Sequence, residues 1–302
     1  MKTKAFPYPA VKYDDAALEK LARRLRCDTL CMIHQASSGH PGGSLSSVEI
    51  LSTLYYQYLR HDPANPERTD RDRFVLSKGH ACPILYAILA EQGYFPEDEL
   101  CHLRRVGGLL QGHPSLHIPG IDASTGSLGQ GLSLANGMAL AAKLDGSDFH
   151  TWCLLGDGEL QEGQVWEAAM TSAHYKLDNV TAIVDRNGLQ IDGKTEKVMA
   201  LEPLAEKWLS FGFHVIECDG HSFSDLRRAY DEALATKGKP SCVIANTHKG
   251  YGVSFMSDNA GWHGKSPSVE QLQAAIAEIC GDEKIESSCM KTVLGEVKGG
   301  GR

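Results

Sequence analysis

The sequence predicts an α/β domain in which a parallel sheet is covered by helices on both faces. In the second half of the chain, continuously apolar segments such as 151–155 and 179–185 alternate with amphipathic helical segments. Strands of a parallel sheet have this apolar character because both of their faces are buried. The 302 residues are 42% hydrophobic and 23% charged, which is enough apolar material for a sizeable core and excludes a disordered chain.

The first half of the chain is predicted to be mainly helical. Residues 14–35 carry leucines at helical spacing, and Asp14 can cap the first turn. We expect a break at 41–43, where the sequence is Pro-Gly-Gly. Helices are then expected at 45–60, 84–93 and 96–104, with a short strand at 74–77. Residues 106–127 show no period, and a loop of this length inside a compact chain is usually functional.

The second half begins with a helix of small residues at 128–144, whose glycines and alanines permit close packing on a neighbour. The strands that we expect after it are 151–155, 179–185, 214–218 and 241–246. The helices that we expect are 163–176, 203–212, 224–236 and 268–280. We predict one domain over residues 1–302, with its core at about 10–285 and a loose tail at 286–302.

Composition and charge exclude several classes of protein. No apolar run approaches the roughly 20 residues that span a bilayer, and the N-terminus lacks the apolar segment of a secretory signal. Thirty basic and 38 acidic residues give a net charge of −8, without the basic cluster of a nucleic-acid binder. The nine scattered cysteines include no Cys-x-x-Cys pair, which favours reduced thiols. We therefore expect a cytoplasmic protein that binds neither membranes nor nucleic acid.

The strongest local signal lies at the ends of two predicted strands. The first strand runs into Gly156-Asp157-Gly158, and the next runs into Asn187. Open α/β sheets bind ligands at the carboxyl ends of their strands. An Asp carboxylate, an Asn amide oxygen, a backbone carbonyl and two diphosphate oxygens suit Mg²⁺, Ca²⁺ or Mn²⁺. Gly-Asp-Gly alone is more often a simple turn, but the second element favours a cation that clips a diphosphate onto the protein.

This two-part pattern resembles the thiamine-diphosphate fingerprint, with 28 residues between Gly158 and Asn187. Arg186 stands where many members carry a second Asn, at a position that is not a metal ligand in the family. Flanking segments resemble transketolases, in the family order. They are 37–44, 77–80, 112–114, 125–131, 249–252 and 261–264. The resemblance covers about residues 10–285 and implies the thiamine-diphosphate-binding fold.

The resemblance also implies roles for individual residues. Asp157, Asn187 and the carbonyl of Leu189 match the metal ligands, and Glu162 and Glu167 match acidic residues that couple two active sites across a subunit interface. The residues that match cofactor contacts are His80, Gly126, Leu128, Gly156, Gly158, Glu159, Asn187, Ile191 and His263. The histidines that match the catalytic substrate channel are His40, His80, His113 and His263. Imidazoles can bind sugar hydroxyls and move protons near neutral pH.

In transketolases, a Glu on a second, pyrimidine-binding domain activates the cofactor, and this sequence stops before such a domain. We therefore expect the N-terminal subunit of a split transketolase, active only with a separate C-terminal chain, in an α₂β₂ assembly. It would transfer a two-carbon ketol unit from a ketose to an aldose with thiamine diphosphate. Sugar phosphates of the pentose phosphate type are the default substrates, and unusual phosphorylated or sulfonated sugars remain open.

Other protein classes share part of this pattern. The α subunit of a thiamine-dependent 2-oxo-acid dehydrogenase also carries Gly-Asp-Gly and Asn, but the segments 38–43 and 262–264 favour a transketolase. A deoxyxylulose-phosphate synthase is normally one long chain. A non-catalytic cofactor-binding subunit stays open from sequence. A Rossmann enzyme is disfavoured because no predicted strand is followed by G-x-G-x-x-G.

Overall fold

The computed structural model describes residues 6, 8–9 and 13–299 of the chain. Its main sheet has five parallel strands in the order β1-β2-β3-β7-β6. These are β1 Arg73–Leu76, β2 Thr151–Gly156, β3 Val180–Arg186, β6 His214–Asp219 and β7 Ser241–Asn246. A small antiparallel hairpin pairs β4 Leu189–Gln190 with β5 Gly193–Lys194. The predicted parallel sheet is thus confirmed, whereas the hairpin was not predicted.

The helices lie on both faces of this sheet, as the sequence predicted. They are α1 Asp15–Gln35, α2 Pro41–Leu45, α3 Val48–Gln57, α4 Cys82–Glu91, α5 Gly131–Asp145, α6 Gly163–His174, α7 Thr195–Val198, α8 Leu204–Ser210, α9 Phe223–Ala235, α10 Val269–Cys280 and α11 Ser288–Gly299. Alternate residues of one strand enter different cores. Trp152 and Leu154 of β2 pack with α1, α4 and α9, while Cys153 and Leu155 pack with α5, α6 and α8. In the part of the chain that the structure describes, every helix is too short or too polar to span a bilayer.

Side-chain caps fix several helix starts. The Asp14 side chain accepts a hydrogen bond from the backbone N of Ala17 at 2.8 Å, which begins α1 where the sequence predicted. Ser268 and Gln271 form a reciprocal capping box at the start of α10. The segment 106–127 contains no α-helix or strand, as expected for a long loop.

Two expectations about local structure were wrong. Pro-Gly-Gly at 41–43 does not break the chain but forms the first turn of α2, where Pro occupies a position that needs no N–H donor. The segment 286–302 is not a loose tail over its described part, because residues 288–299 form α11. Cys289, Met290 and Val293 of α11 are buried against the core that contains α1. Residues 300–302 lie outside the described residues.

Candidate active site

The carboxyl ends of β2 and β3 lie side by side. Gly156, the last residue of β2, pairs with Asp185 on β3. Asp157 directly follows β2, and Asn187 directly follows β3, so both fall on one edge of the sheet. A cavity of about 360 Å³ opens at this edge. It is the position at which open parallel sheets bind ligands.

The cavity brings together residues that are far apart in the sequence. The predicted site residues that line it are His40, His80, His113, Gly126, Leu128, Gly156, Asp157, Gly158, Glu159, Glu162, Asn187, Leu189, Ile191 and His263. Glu167 is the exception, since it lies exposed on α6 and does not line the cavity. Ile191 is 67% exposed at the turn of the β4–β5 hairpin, although it also borders the cavity.

The three predicted metal donors are held by hydrogen bonds from backbone N–H groups and from side chains. One oxygen of Asp157 accepts from the Gly158 N at 2.8 Å, and the other accepts from the Gly188 N at 2.6 Å. The Asn187 amide nitrogen donates to the Asp185 carboxylate at 3.0 Å. The Asn187 amide oxygen accepts a hydrogen bond from the Leu189 N at 3.1 Å. The Leu189 carbonyl accepts a hydrogen bond from the Lys249 ammonium at 3.1 Å.

This donor set has the chemistry that a hard divalent cation requires. A carboxylate, an amide oxygen and a carbonyl are all hard oxygen donors. Among the described residues, no three His, Cys, Asp or Glu side chains come together in a way that could hold a metal. A cation bound here would therefore need oxygens from a ligand beside those of the protein, as a diphosphate would provide.

Arg186 contacts the predicted metal ligand Asp157, a role that the sequence analysis did not assign to it. Its guanidinium donates to Asp157 at 2.9 Å and to the Thr195 hydroxyl at 2.8 Å. The same group also pairs with Glu196 and Glu202 at 3.0 and 2.9 Å. Burial, followed by repulsion from Asp185, raises the pKa of Asp157, and the hydrogen bond from Arg186 opposes this rise. Arg186 thus couples the carboxylate to the segment that follows β5.

Three of the histidines that line the cavity form a compact cluster. The ring centroids of His40, His80 and His263 lie 5.1 to 5.3 Å apart. Burial lowers the pKa of His40 to about 4 and that of His263 to about 3, and it holds the pKa of His80 well below its ordinary value. These imidazoles are therefore neutral at pH 7, and each can accept and donate a hydrogen bond.

The Nδ1 atoms of His40 and His263 are buried and have no hydrogen-bond partner among the described residues. Unpaired buried polar atoms are rare in folded proteins, and two in one cavity indicate a place for a polar ligand. His113 lies beside this cluster and packs its ring against Gly126. A Cβ on Gly126 would come within 2.6 Å of that ring, and the φ of 134° at this position also requires glycine.

Two buried lysines belong to the site, although sequence analysis assigned them no role. The Lys78 ammonium contacts Asp185 and donates to the Gly43 carbonyl at 2.8 Å. Burial lowers the pKa of Lys249 to about 8, with repulsion from Lys78 as a further cause. Both ammonium groups line the cavity. In the sequence, each of these lysines stands in a glycine-rich segment. A charged residue in such a segment could have indicated a lysine that is buried in the site.

Glu159 lines the cavity and is held by hydrogen bonds from three segments of the chain. One of its oxygens contacts the Ser77 hydroxyl and accepts from the Gly129 N at 2.9 Å, and the other accepts from the Gly156 N at 3.0 Å. The carboxylate therefore joins the ends of β1 and β2 to the segment before α5. Because three protein donors occupy its oxygens, Glu159 shapes the site by positioning backbone rather than by offering a free acceptor.

Comparison with known proteins places the chain in a family. Residues 17–286 match the family model described as transketolase, thiamine diphosphate binding domain. One subunit of an apulose-4-phosphate transketolase from Phocaeicola vulgatus is 43% identical over 269 residues, which cover 89% of this chain and 95% of that subunit. One subunit of a 6-deoxy-6-sulfo-D-fructose transketolase from a Clostridium species is 45% identical over 263 residues, which cover 87% of this chain and 96% of that subunit.

A solved structure shows the same fold in a longer chain. The transketolase of Campylobacter jejuni superimposes with a TM-score of 0.86 at 32% sequence identity, covering 95% of this chain. The match takes up 48% of the Campylobacter protein. The present chain thus spans about half the length of this solved transketolase, but nearly the whole length of the two subunits.

Proposed function

The chain belongs to the transketolase family through its thiamine diphosphate-binding domain, and from this membership we propose that it is the cofactor-binding subunit of a two-chain transketolase. The observation that carries the proposal is the extent of the match. Two subunits of this kind are covered over 95% and 96% of their length. A full-length transketolase is covered over 48%. These relatives favour a transketolase over the α subunit of a 2-oxo-acid dehydrogenase.

In this proposal, Asp157, Asn187 and the Leu189 carbonyl hold a hard divalent cation, Mg²⁺ or alternatively Ca²⁺ or Mn²⁺, because the donors are hard oxygens. Lys78 and Lys249, which also line the cavity, supply positive charge. Gly158 has no side chain to block the approach of a phosphate, and a Cβ there would lie 2.8 Å from Gln190. Thiamine diphosphate, when bound, supplies the carbanion centre that takes up the two-carbon unit.

The histidine cluster would bind and orient the sugar. Neutral imidazoles can accept a proton from one hydroxyl and donate one to another, so His40, His80 and His263 can move protons without carrying charge at rest. Their neutrality follows from burial and from the neighbouring lysines. His113 also lines the cavity and is exposed in the chain by itself, and partial desolvation lowers its pKa. We assign these four histidines to the substrate channel.

A second chain would complete the site. It would supply the pyrimidine-binding domain with the activating Glu and form an α₂β₂ assembly in which Glu162 and Glu167 lie at a subunit interface. Both of these carboxylates are exposed in the chain by itself. The substrates that we propose are a phosphorylated or sulfonated ketose as donor and an aldose as acceptor, since one relative is named for apulose 4-phosphate and another for 6-deoxy-6-sulfofructose.

The deciding experiment is reconstitution. The chain would be purified alone and mixed with the product of an adjacent reading frame that encodes a pyrimidine-binding domain. Ketol transfer would be measured with thiamine diphosphate and Mg²⁺, using apulose 4-phosphate, 6-deoxy-6-sulfofructose and a pentose phosphate as donors. We expect transfer only from the mixture. Turnover by the isolated chain, or decarboxylation of a 2-oxo acid by the mixture instead, would refute the proposal.

A further inference from the structure

One lysine of the cavity lies on a loop that is held from outside the site. Lys249 lies in the loop after β7, and its buried ammonium donates to the Leu189 carbonyl at 3.1 Å. The backbone N of His248, directly before Lys249, donates to the Nε2 of His221 at 2.9 Å. His221 lies between β6 and α9 and does not line the cavity at the ends of β2 and β3. It therefore contacts the loop of Lys249 without being part of the site.

His221 is itself fixed by a buried ion pair. Its Nδ1 contacts one oxygen of the Glu49 carboxylate on α3 at 3.0 Å, and the other oxygen pairs with the Arg26 guanidinium on α1. The side chains of all three residues are at most 7% exposed. Burial raises the pKa of Glu49, but the Arg26 charge and the hydrogen bond from His221 outweigh it and lower that pKa. The carboxylate is therefore ionised and holds one ring nitrogen of His221 in place.

The two contacts of the His221 ring determine its tautomer. A backbone N–H can only donate, so the Nε2 that receives the His248 N–H carries no proton. In the neutral ring the proton then lies on Nδ1, from which it is donated to Glu49. The Tyr251 ring stacks on the imidazole with the centroids 3.6 Å apart, which restricts rotation of the imidazole. Glu49 thus selects the form of His221 that can accept from the loop.

Arg26 holds the same loop at a second point. Its Nε donates to the Tyr251 carbonyl at 3.2 Å. Gly252 follows with a φ of 91°, and a Cβ there would lie 2.7 Å from the same Nε, so the close approach requires glycine. Lys249 therefore lies between two backbone contacts, at His248 and at Tyr251, that both come from one buried network.

We propose that His221 is a positioning residue, which keeps the Lys249 ammonium in the cavity by holding the His248 amide. Glu49 and Arg26 orient His221 for this contact. The purpose of the arrangement rests on the proposed function, since the diphosphate of the cofactor is the anion that Lys249 would bind there. Lys249 is the residue that touches the ligand, and His221 acts through it.

Two substitutions test the contact itself in the complete chain without any ligand. His221→Gln places an amide oxygen near the position of Nε2 and can accept from the His248 N, whereas His221→Asn is shorter and reaches only Glu49. Hydrogen exchange of the His248 amide, followed by NMR and compared with the amides of β3, should be about 5-fold faster in His221→Asn, the factor that corresponds to one typical hydrogen bond. It should be unchanged in His221→Gln. His214→Asn is the matched control and should also leave it unchanged, because His214 contacts the Glu232 carboxylate at 2.8 Å but lies at the opposite end of β6.

Calorimetric titration with thiamine diphosphate and Mg²⁺ tests the consequence. His221→Asn should bind about 10-fold more weakly than the wild type, as expected for a residue that orients a ligand-binding group, and His221→Gln should bind like the wild type. In a Lys249→Met chain, His221→Asn should cause no further loss, because the effect passes through Lys249. Additive losses would overturn the proposal.

The wild-type chain decides even if a variant fails to fold. His248 is exposed, so its amide should be protected from exchange only by the bond to His221. An unprotected His248 amide in the wild type, or equal exchange in His221→Asn and the wild type, would overturn the proposal. A wild-type chain that binds no thiamine diphosphate would instead refute the cofactor assignment, while the exchange comparison would still decide the role of His221.

Discussion

At the scale of single residues, the candidate site depends on buried charges that balance one another. The Asp185 carboxylate accepts from Ser46, Thr247, Lys78 and Asn187. Burial raises the pKa of Asp185, but the Lys78 charge and the hydrogen bonds from Lys78, Thr247 and Ser46 outweigh it and hold the pKa below the usual range. Asp157 is less well compensated, since burial and the charge of Asp185 raise its pKa. A divalent cation next to Asp157 would remove this penalty, because a nearby opposite charge favours the ionised carboxyl.

Asp157→Asn should therefore abolish the Mg²⁺-dependent part of thiamine diphosphate binding. Changing residues that merely orient metal ligands costs about 10- to 100-fold in affinity, so the loss of a ligand should reach at least about 100-fold. Calorimetric titration of the apo chain with cofactor, with Mg²⁺ and with EDTA, measures this. Asp192→Asn is the control, because Asp192 also borders the cavity but is exposed. Equal affinities for Asp157→Asn and the wild type would show that Asp157 is not a metal ligand.

At the scale of helices and strands, regular patterns predicted most elements, and tertiary contacts decided the rest. Glycine at position 42 looked like a helix break, yet it is needed because a Cβ there would lie 3.0 Å from the Trp262 carbonyl. Helix α11 contains glycine and was expected to be loose, but burial of Cys289 and Val293 holds it. Such reasons are invisible locally, because the contacting residues are far apart in the chain.

Part of the candidate site was likewise predictable from the sequence, and part depends on contacts between distant residues. The neighbourhood of Asp157 and Asn187 was predictable, because strand ends of a parallel sheet share an edge. The ion pair of Lys78 with Asp185 was not predictable, since 107 positions separate the two residues. Arg186 was set aside by family comparison, although its contact with Asp157 depends on the strand register that only the structure gives.

The packing of α5 on the end of β1 gives a prediction at this scale. A Cβ on Gly131 would come within 2.3 Å of the Ser77 hydroxyl and 2.7 Å of its Cα, whereas a Cβ on Gly137 would meet no atom within 4 Å. Gly131→Ala should cost about 1–3 kcal/mol of unfolding free energy through overpacking. Gly137→Ala, on the same helix, should add about 0.5–1 kcal/mol. Urea unfolding of both variants provides the measurement, and equal effects would contradict the packing argument.

The docking of α11 gives a second prediction. Asp28 of α1 is buried beneath α11 and contacts the Ser287 hydroxyl, which in turn accepts from the Met290 N at 3.1 Å. Burial is the main cause that raises the pKa of Asp28 to about 7, despite Arg24 at 3.8 Å. A folded-state pKa above the unfolded value means that the contribution to stability is lost as the pH rises through about 7.

Amide protection in α11, corrected for intrinsic exchange rates, should therefore be lower at pH 8 than at pH 6. Asp28→Asn keeps a polar side chain beside Ser287 but carries no charge, so it should remove the difference between the two pH values. Asp282→Asn changes an exposed carboxyl near the same helix and should leave the difference intact. Hydrogen exchange measured by mass spectrometry makes the comparison. Equal protection of wild-type α11 at both pH values would contradict the role of Asp28.

At the scale of the whole molecule, buried histidines, including those of the candidate site, make the folded chain less stable in acid. Burial lowers the pKa of the cavity residues His40, His80 and His263 and also of His61, which lies in the large core. The unfolded chain takes up protons on these residues near pH 6.5, before the folded chain does. Acidification below that value therefore favours unfolding. The buried carboxyls of Asp28, Asp157 and Glu159, whose pKa values are raised, act in the opposite direction.

His61 makes the argument quantitative because it is only 1% exposed and has a pKa of about 4. Its ring nitrogens contact the Tyr94 hydroxyl at 2.9 Å and the Tyr55 carbonyl at 3.2 Å, and burial is the main cause of the lowered pKa. Since the folded pKa lies below the unfolded value, the stability contribution is full above pH 6.5 and falls toward pH 4. Between pH 7.5 and pH 5, this one residue should cost about 2 kcal/mol of unfolding free energy.

His61→Gln should be less stable than the wild type at pH 7.5, but its unfolding free energy should fall by about 2 kcal/mol less on acidification to pH 5. His174→Gln, which alters an exposed histidine at the end of α6, should lose as much as the wild type. Urea unfolding at the two pH values gives both differences, and an undiminished loss in His61→Gln would show that His61 is not a source of the acid sensitivity.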